Sequence, residues 1–238
     1  MPRVARRALA VSCLALAAGG CSANYGMHEP ASREGDSVLH LWRGLLLTAT
    51  VLGAIVLALL AFGIVRYRRR GRTDLPSQHA GHVPLEVLYT AIPFVVVAAI
   101  FVVGLRTQDH IDSHGPVDLE VGVTGFQWGW RFEYTGTPVV VQSTPGEDPV
   151  LVLPLGRTVR FTLASRDVIH SFFVPAFEWK RDAIPGYRNT IVLVPNRVGD
   201  DVGHCAEFCA LDHARMNFVV RVVPPDEFDQ WLRTQGAS

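Results

Sequence analysis

The sequence predicts a membrane α-helical hairpin followed by an all-β domain. Three observations carry this: two uncharged apolar runs long enough to cross a bilayer, a change after residue 117 to short β-branched runs, and a shortage of charge. Of 238 residues, 49% are hydrophobic and 18% charged, against about 25% charged in soluble domains, which argues against a wholly soluble protein. The net charge of zero hides an asymmetry: residues 1–108 hold 11 Lys and Arg against 5 Asp and Glu, whereas residues 109–238 hold 11 against 17. The basic excess lies among apolar segments and the folded remainder is acidic. A nucleic-acid partner is therefore not expected, and a charged partner of the second half should be basic.

Residues 1–20 read as a targeting signal, with Arg3, Arg6 and Arg7 as a basic start and residues 8–18 as an apolar stretch too short to span a bilayer. It ends in Ala18-Gly19-Gly20-Cys21, small residues before a Cys, which resembles the site where a bacterial lipoprotein is cleaved and its Cys acylated. Cys21 is thus a candidate for lipidation; a secretory signal with a chance Cys is the alternative.

Residues 44–65 and 87–105 carry no charge and are long enough to cross hydrocarbon as helices, expected at about residues 41–66 and 84–106 within an N-terminal segment and hairpin over 21–108. Arg66, Arg68, Arg69, Arg70 and Arg72 lie between them against the single acid Asp74. By the positive-inside rule this loop is cytoplasmic, which puts the N-terminus and everything after about residue 108 outside. Glu86, just after Pro84, starts the second span. It is either an interfacial residue favoured by the helix dipole or a proton-handling carboxylate.

From residue 117, runs over 117–123, 139–142, 150–153, 158–163, 190–194 and 218–223 are β-branched or alternating and are separated by Gly, Pro, Asn and Asp, which suggests a sandwich or barrel. From residue 117 the domain, taken as 109–225, has about 110 residues, enough for its own core. Pro224-Pro225 closes it before a short amphipathic tail over 226–234, within a terminal segment 226–238.

The chemistry lies in Cys205 and Cys209, followed by His213 and Met216. A disulfide is the ordinary reading of two thiols in an exported domain. Here the thiolates come with an imidazole and a thioether in twelve residues, a soft set that selects copper. Blue-copper sites use one Cys; two thiolates and more than one candidate His allow a pair of coppers. His170, at the end of a strand-like run among apolar residues, is a candidate distant ligand, and His204 is its rival, although on an extended segment its side chain points away from that of Cys205.

In order, Gly125-Phe126-Gln127-Trp128-Gly129-Trp130, Asp167-Val168-Ile169-His170-Ser171-Phe172, Asp182-Ala183-Ile184-Pro185-Gly186 and the Cys205 to Met216 segment resemble subunit II of the haem-copper cytochrome c oxidases, with its dinuclear copper A centre. The resemblance implies a cupredoxin-like β-barrel. It implies two copper ions held by His170, Cys205, Cys209, His213, Met216 and the backbone carbonyl of Glu207, whose side chain reaches a magnesium or manganese site shared with the catalytic subunit. Trp128 matches the aromatic residue through which electrons enter, and Glu86 the carboxylate at the mouth of a proton path. Gly129 stands where the family usually has Tyr, and Asn217 where Pro commonly follows the methionine. No C-x-x-C-H motif is present, so no haem is expected on this chain.

The expected function is the subunit of a respiratory terminal oxidase that accepts electrons from cytochrome c and passes them to haem in the catalytic subunit. That makes it the electron-transfer part of an oxidoreductase complex, a multi-pass protein of the bacterial inner membrane with its copper domain on the periplasmic side. The implied partners are the catalytic subunit I, subunit III and cytochrome c, with Glu133, Glu147 and Asp148 as contributors to docking. Two alternatives remain: the equivalent subunit of a copper A nitric oxide reductase, and a copper-storage or delivery lipoprotein. The latter would need neither the Trp128 motif nor the hairpin.

Overall fold

The computed structural model describes residues 26–68, 71, 78 and 81–236. The signal segment, Cys21 and most of the arginine-rich loop lie outside the described residues. Two units are present, residues 40–113 and the remainder.

Helix α1 spans Arg33–Arg66 and α2 spans Val83–Asp112. Both outrun the expected spans, because an apolar run reports only the part of a helix matched to lipid. At 1.5 Å per residue, α1 is about 51 Å long against a hydrocarbon core of about 30 Å. Its surplus start is set by Ser32, whose Oγ accepts the Gly35 amide at 2.9 Å, and by Glu34 and Asp36 in the first turn. None of the most apolar 18-residue window of either helix is buried, as expected for surfaces made for lipid. At α2, His82 Nδ1 accepts the Leu85 amide at 3.3 Å while Glu86 Oε1 accepts the His82 amide at 3.1 Å. This reciprocal pairing satisfies donors that the first turn leaves open.

The β domain packs two five-stranded sheets. One has the order β3-β2-β1-β5-β8, from β1 Leu119–Phe126, β2 Gly129–Tyr134, β3 Val140–Gln142, β5 Val159–Ser165 and β8 Asn189–Leu193. The other runs β4-β10-β9-β6-β7, from β4 Val150–Pro154, β6 His170–Val174, β7 Trp179–Ala183, β9 Gly199–Cys205 and β10 Asn217–Val223. The pairs β1 with β5 and β4 with β10 are parallel; the others are antiparallel. Six of these strands lie where the sequence runs placed them, and β2, β6, β7 and β9 do not appear among those runs. Strand β2 alternates Trp130, Phe132 and Tyr134 inward with Arg131 and Glu133 outward. Its aromatic side chains meet Phe172 and Phe218 in the core, where the rings of Phe172 and Phe218 stack at 4.9 Å. Strand β9 is polar and contains Gly203, where a Cβ would fall 2.1 Å from the Phe218 ring; the glycine lets that ring lie over the backbone. His170 opens β6 rather than ending a strand. The terminal segment forms helix α3, Pro225–Gly236, with Pro225 as its first residue. Phe228 is buried, and Arg157 grips Asp229 with two bonds of 2.7 and 2.8 Å.

Candidate metal centre

The sheet of β4, β10, β9, β6 and β7 builds the site. Phe172 on β6 pairs with Cys205 on β9, which sets His170 beside the end of β9. Cys205 closes that strand, residues 206–212 loop out, a 3-10 turn spans His213–Arg215, and Met216 returns the chain to β10.

All six expected donor groups converge. Cys205 Sγ lies 3.8 Å from His170 Nδ1, 3.8 Å from Cys209 Sγ and 3.2 Å from the Glu207 carbonyl. Cys209 Sγ lies 3.6 Å from His213 Nδ1 and 3.8 Å from Met216 Sδ. His170, Cys205, Cys209 and Met216 are buried. At 3.8 Å the sulfurs are nearly twice a disulfide bond apart, and both thiols are free. The donor atoms of His170, Cys205 and Cys209 all lie within 4.8 Å of one another, a spacing that could hold a metal ion. Two thiols, two imidazoles, a thioether and a carbonyl form a soft set that fits copper.

Charge among these groups is uneven. Burial pushes both thiols up. At Cys205 the His170 imidazole and the backbone around Ser171 and Glu207 overcome burial and bring the pKa down to about 6. Cys209, facing the Cys205 sulfur, is pushed up to about 12 by burial and that neighbour. His170 is raised because bonds to Cys205 and Asp167 outweigh its burial. One thiolate is therefore already stabilised where a cation would bind.

Sequence reasoning gave Trp128 a role in electron entry and none to the other residues that hydrogen-bond the candidate donor groups. Asp167 Oδ1 lies 2.8 Å from His170 Nε2, which assigns the proton to Nε2 and leaves Nδ1 free to ligate. Asp167 Oδ2 accepts the Gln127 amide at 2.8 Å. The Trp128 indole N–H donates to the Cys209 carbonyl at 2.9 Å, and the Gln127 side-chain amide donates to the same oxygen at 3.0 Å. Trp128 is 36% exposed whereas Trp130 is fully buried, its indole donating to the Met216 carbonyl at 3.3 Å. The available signal was Asp167 standing three residues before His170, a carboxylate within reach of a ligating imidazole.

His204 is not part of the site. Its ring turns to the other face of β9 and meets Phe173 edge-on at 5.0 Å, as strand alternation requires. Gly129 also has a local cause: a Cβ there would lie 2.7 Å from Ser143, whose Oγ accepts the Trp130 amide at 2.8 Å. Glu207 is exposed. Of the three acids expected to dock a partner, Glu133 is engaged by Arg131 at 2.7 Å. Glu147 and Asp148, with Asp212 and Arg215, line a groove of about 630 Å³ that Trp128 borders.

Comparison with known proteins decides the family. The models of the cytochrome c oxidase subunit II transmembrane domain and periplasmic domain match residues 20–107 and 144–223. A probable cytochrome c oxidase subunit 2 of Streptomyces avermitilis is 35% identical, over 98% of this chain and 87% of that protein. The chain belongs to the cytochrome c oxidase subunit II family. A subunit II relative of Nocardia farcinica is 30% identical over 99% of this chain and 83% of its own length. The solved periplasmic domain of subunit II from Bradyrhizobium japonicum is 33% identical over 51% of this chain and 95% of that domain, with a TM-score of 0.47. Family membership makes the chain a membrane subunit of an oxidoreductase complex, and the His170, Cys205 and Cys209 cluster agrees with copper binding.

Proposed function

We propose that this subunit receives electrons from a cytochrome c at a dinuclear copper centre and passes them to haem in a catalytic subunit. The observation that carries the reading is the meeting of the six donor groups with the Trp128 indole, bonded at 2.9 Å to the carbonyl of the ligand Cys209. When bound, the metal pair would supply a one-electron store. The chain's own residues hold it in place. His170 is fixed by Asp167, Cys205 and Met216 are fixed by strand ends, and the buried thiols keep water from the metal. Trp128 is the exposed aromatic face through which electrons enter. The exposed Glu207 side chain is available for a magnesium or manganese shared with the catalytic subunit. Glu86, whose carboxylate caps α2, lies at the mouth of a proton path in the same reading. Subunits I and III, a periplasmic copper domain on the bacterial inner membrane, and a lipidated Cys21 complete it.

Metal analysis and electron paramagnetic resonance of the purified full chain in detergent test this. Two coppers per chain with the unpaired electron spread over both are expected. His204→Ala should leave the spectrum intact, and His170→Ala should destroy it. One copper with a single-copper spectrum would refute the assignment.

A further inference from the structure

We propose that Gln127 is a positioning residue, which fixes the Trp128 ring on the metal-ligand loop by sharing one acceptor with it, the Cys209 carbonyl. This deepens the reading above and depends on it only for the consequence on rate.

Trp128 sits on the turn between β1 and β2 with more than a third of its surface exposed. On that exposed part nothing packs against the ring, and its polar contacts add to the orientation that its covered part sets. Its Nε1–H donates to the Cys209 oxygen at 2.9 Å, and the Gln127 Nε2 donates to the same oxygen at 3.0 Å. A carbonyl has two lone pairs, so this one is saturated by two neighbouring residues of one turn. The Gln127 backbone is held in turn, its amide donating to Asp167 Oδ2 at 2.8 Å while the other oxygen of Asp167 takes the ligand His170. The turn is thus pinned on one side to the His170 carboxylate and on the other to the Cys209 peptide. From that carbonyl the covalent route runs through Cα and Cβ of Cys209 to a ligand sulfur.

The acceptor precedes a strained residue. The next residue, Ala210, has φ of 83°, a left-handed conformation that disfavours any residue with a Cβ. Two donors hold the peptide that enters this turn, one from Gln127 and one from Trp128.

The test uses the full chain in detergent, with Gln127→Leu and the near-isosteric Gln127→Glu, both of which remove the donor. In the metal-free chain, nuclear magnetic resonance of the labelled indole N–H groups should show the Trp128 signal shifted and its hydrogen exchange faster by roughly fivefold, the worth of one ordinary hydrogen bond. The signals of Trp130 and Trp231 should stay put. In the copper-loaded chain, electron uptake from a reduced cytochrome c should slow several-fold with the copper content and spectrum unchanged. An unaltered Trp128 indole signal in both variants would overturn the proposal. Loss of the copper spectrum in both would overturn it too, since Gln127 would then be a residue of the fold. Trp128→Phe separates the two readings: uptake at the unsubstituted rate in that variant would remove Trp128 as the electron entrance, while the indole signals would still decide the role of Gln127.

Discussion

Replacing Gly129 by Ala should destabilise the β domain through a single collision. The added Cβ would stand 2.7 Å from both Cβ and Oγ of Ser143 and 2.9 Å from the Phe126 ring, whereas ordinary carbon contacts begin at roughly 3.5 Å. Ser143 cannot retreat freely, because its Oγ accepts the Trp130 amide at 2.8 Å and donates to the Trp130 carbonyl at 3.3 Å. Overpacking of this kind costs about 1–3 kcal/mol. For a domain of this size that lowers the thermal midpoint by roughly 5–15 °C. Near-ultraviolet circular dichroism of the full chain in detergent reads this directly. The double variant Gly129→Ala with Ser143→Gly should recover part of the loss, and the recovery measures the coupling between the two sites. A single variant within about 0.5 kcal/mol of the unsubstituted protein would refute the steric account. The absence of the family's usual Tyr would then need another cause.

In the metal-free chain, ultraviolet thiolate absorbance should rise in two separated steps, near pH 6 for Cys205 and near pH 12 for Cys209. Cys205 ionises more readily folded than unfolded, so its contribution to stability is complete above the unfolded value of 9.0 and is lost as pH falls through about 6. Cys209 acts oppositely, costing stability as pH rises above 9.0. Denaturation midpoints should therefore peak near pH 9, and two thiols titrating together near 9 would contradict both assignments. Association with a basic cytochrome c should slow about two- to fivefold at low salt in Glu147→Gln with Asp148→Asn, a modest part of the 10–10³ that steering can supply. The difference should shrink as the Debye length falls from ~30 Å at 0.01 M to ~10 Å at 0.1 M. Glu133→Gln should do less because Arg131 already engages that carboxylate. An equal effect from all three acids, or none, would reject the groove beside Trp128 as the docking face.

The donor set was legible in the sequence because its members are chemically rare and closely spaced: Cys205, Cys209, His213 and Met216 fall within one loop. The residues alone left His170 and His204 as rivals for the distant position, and only the family resemblance chose between them, since the nearness of His170 to Cys205 comes from the pairing of β6 with β9. The missed strands fail for separate reasons. Strand β7 is an edge, Trp-Lys-Arg-Asp-Ala, whose polar residues face outward, and β9 is short of apolar residues because Gly203 yields its space to Phe218. Asp167 and Gln127 stood within the recognised motifs; the bond of Asp167 to His170 spans three residues and had a local signal, but its bond to the Gln127 amide and that of Gln127 to Cys209 cross 40 and 82 residues of chain, which no local pattern reports.

The ligands are not all held alike, and the difference follows from which element carries each. Cys205 and Met216 are consecutive with strands that pair with each other, the Cys205 amide donating to the Met216 carbonyl at 3.0 Å, so sheet hydrogen bonds fix their separation before any metal binds. His170 is fixed by the carboxylate of Asp167 and by full burial. Cys209 and His213 belong to the loop, and His213 is only half-buried. That loop is restrained by the Cys209 carbonyl, bonded by Gln127 and Trp128, and by the Ala206 amide, which donates to the Ser171 carbonyl at 3.0 Å. In the proposed function, the turn that would offer an aromatic face to a donor is the same turn that holds the loop half of the candidate ligand set. Small movement between oxidation states is what rapid one-electron transfer requires, so under that proposal one set of hydrogen bonds would serve both donor contact and rigidity of the centre.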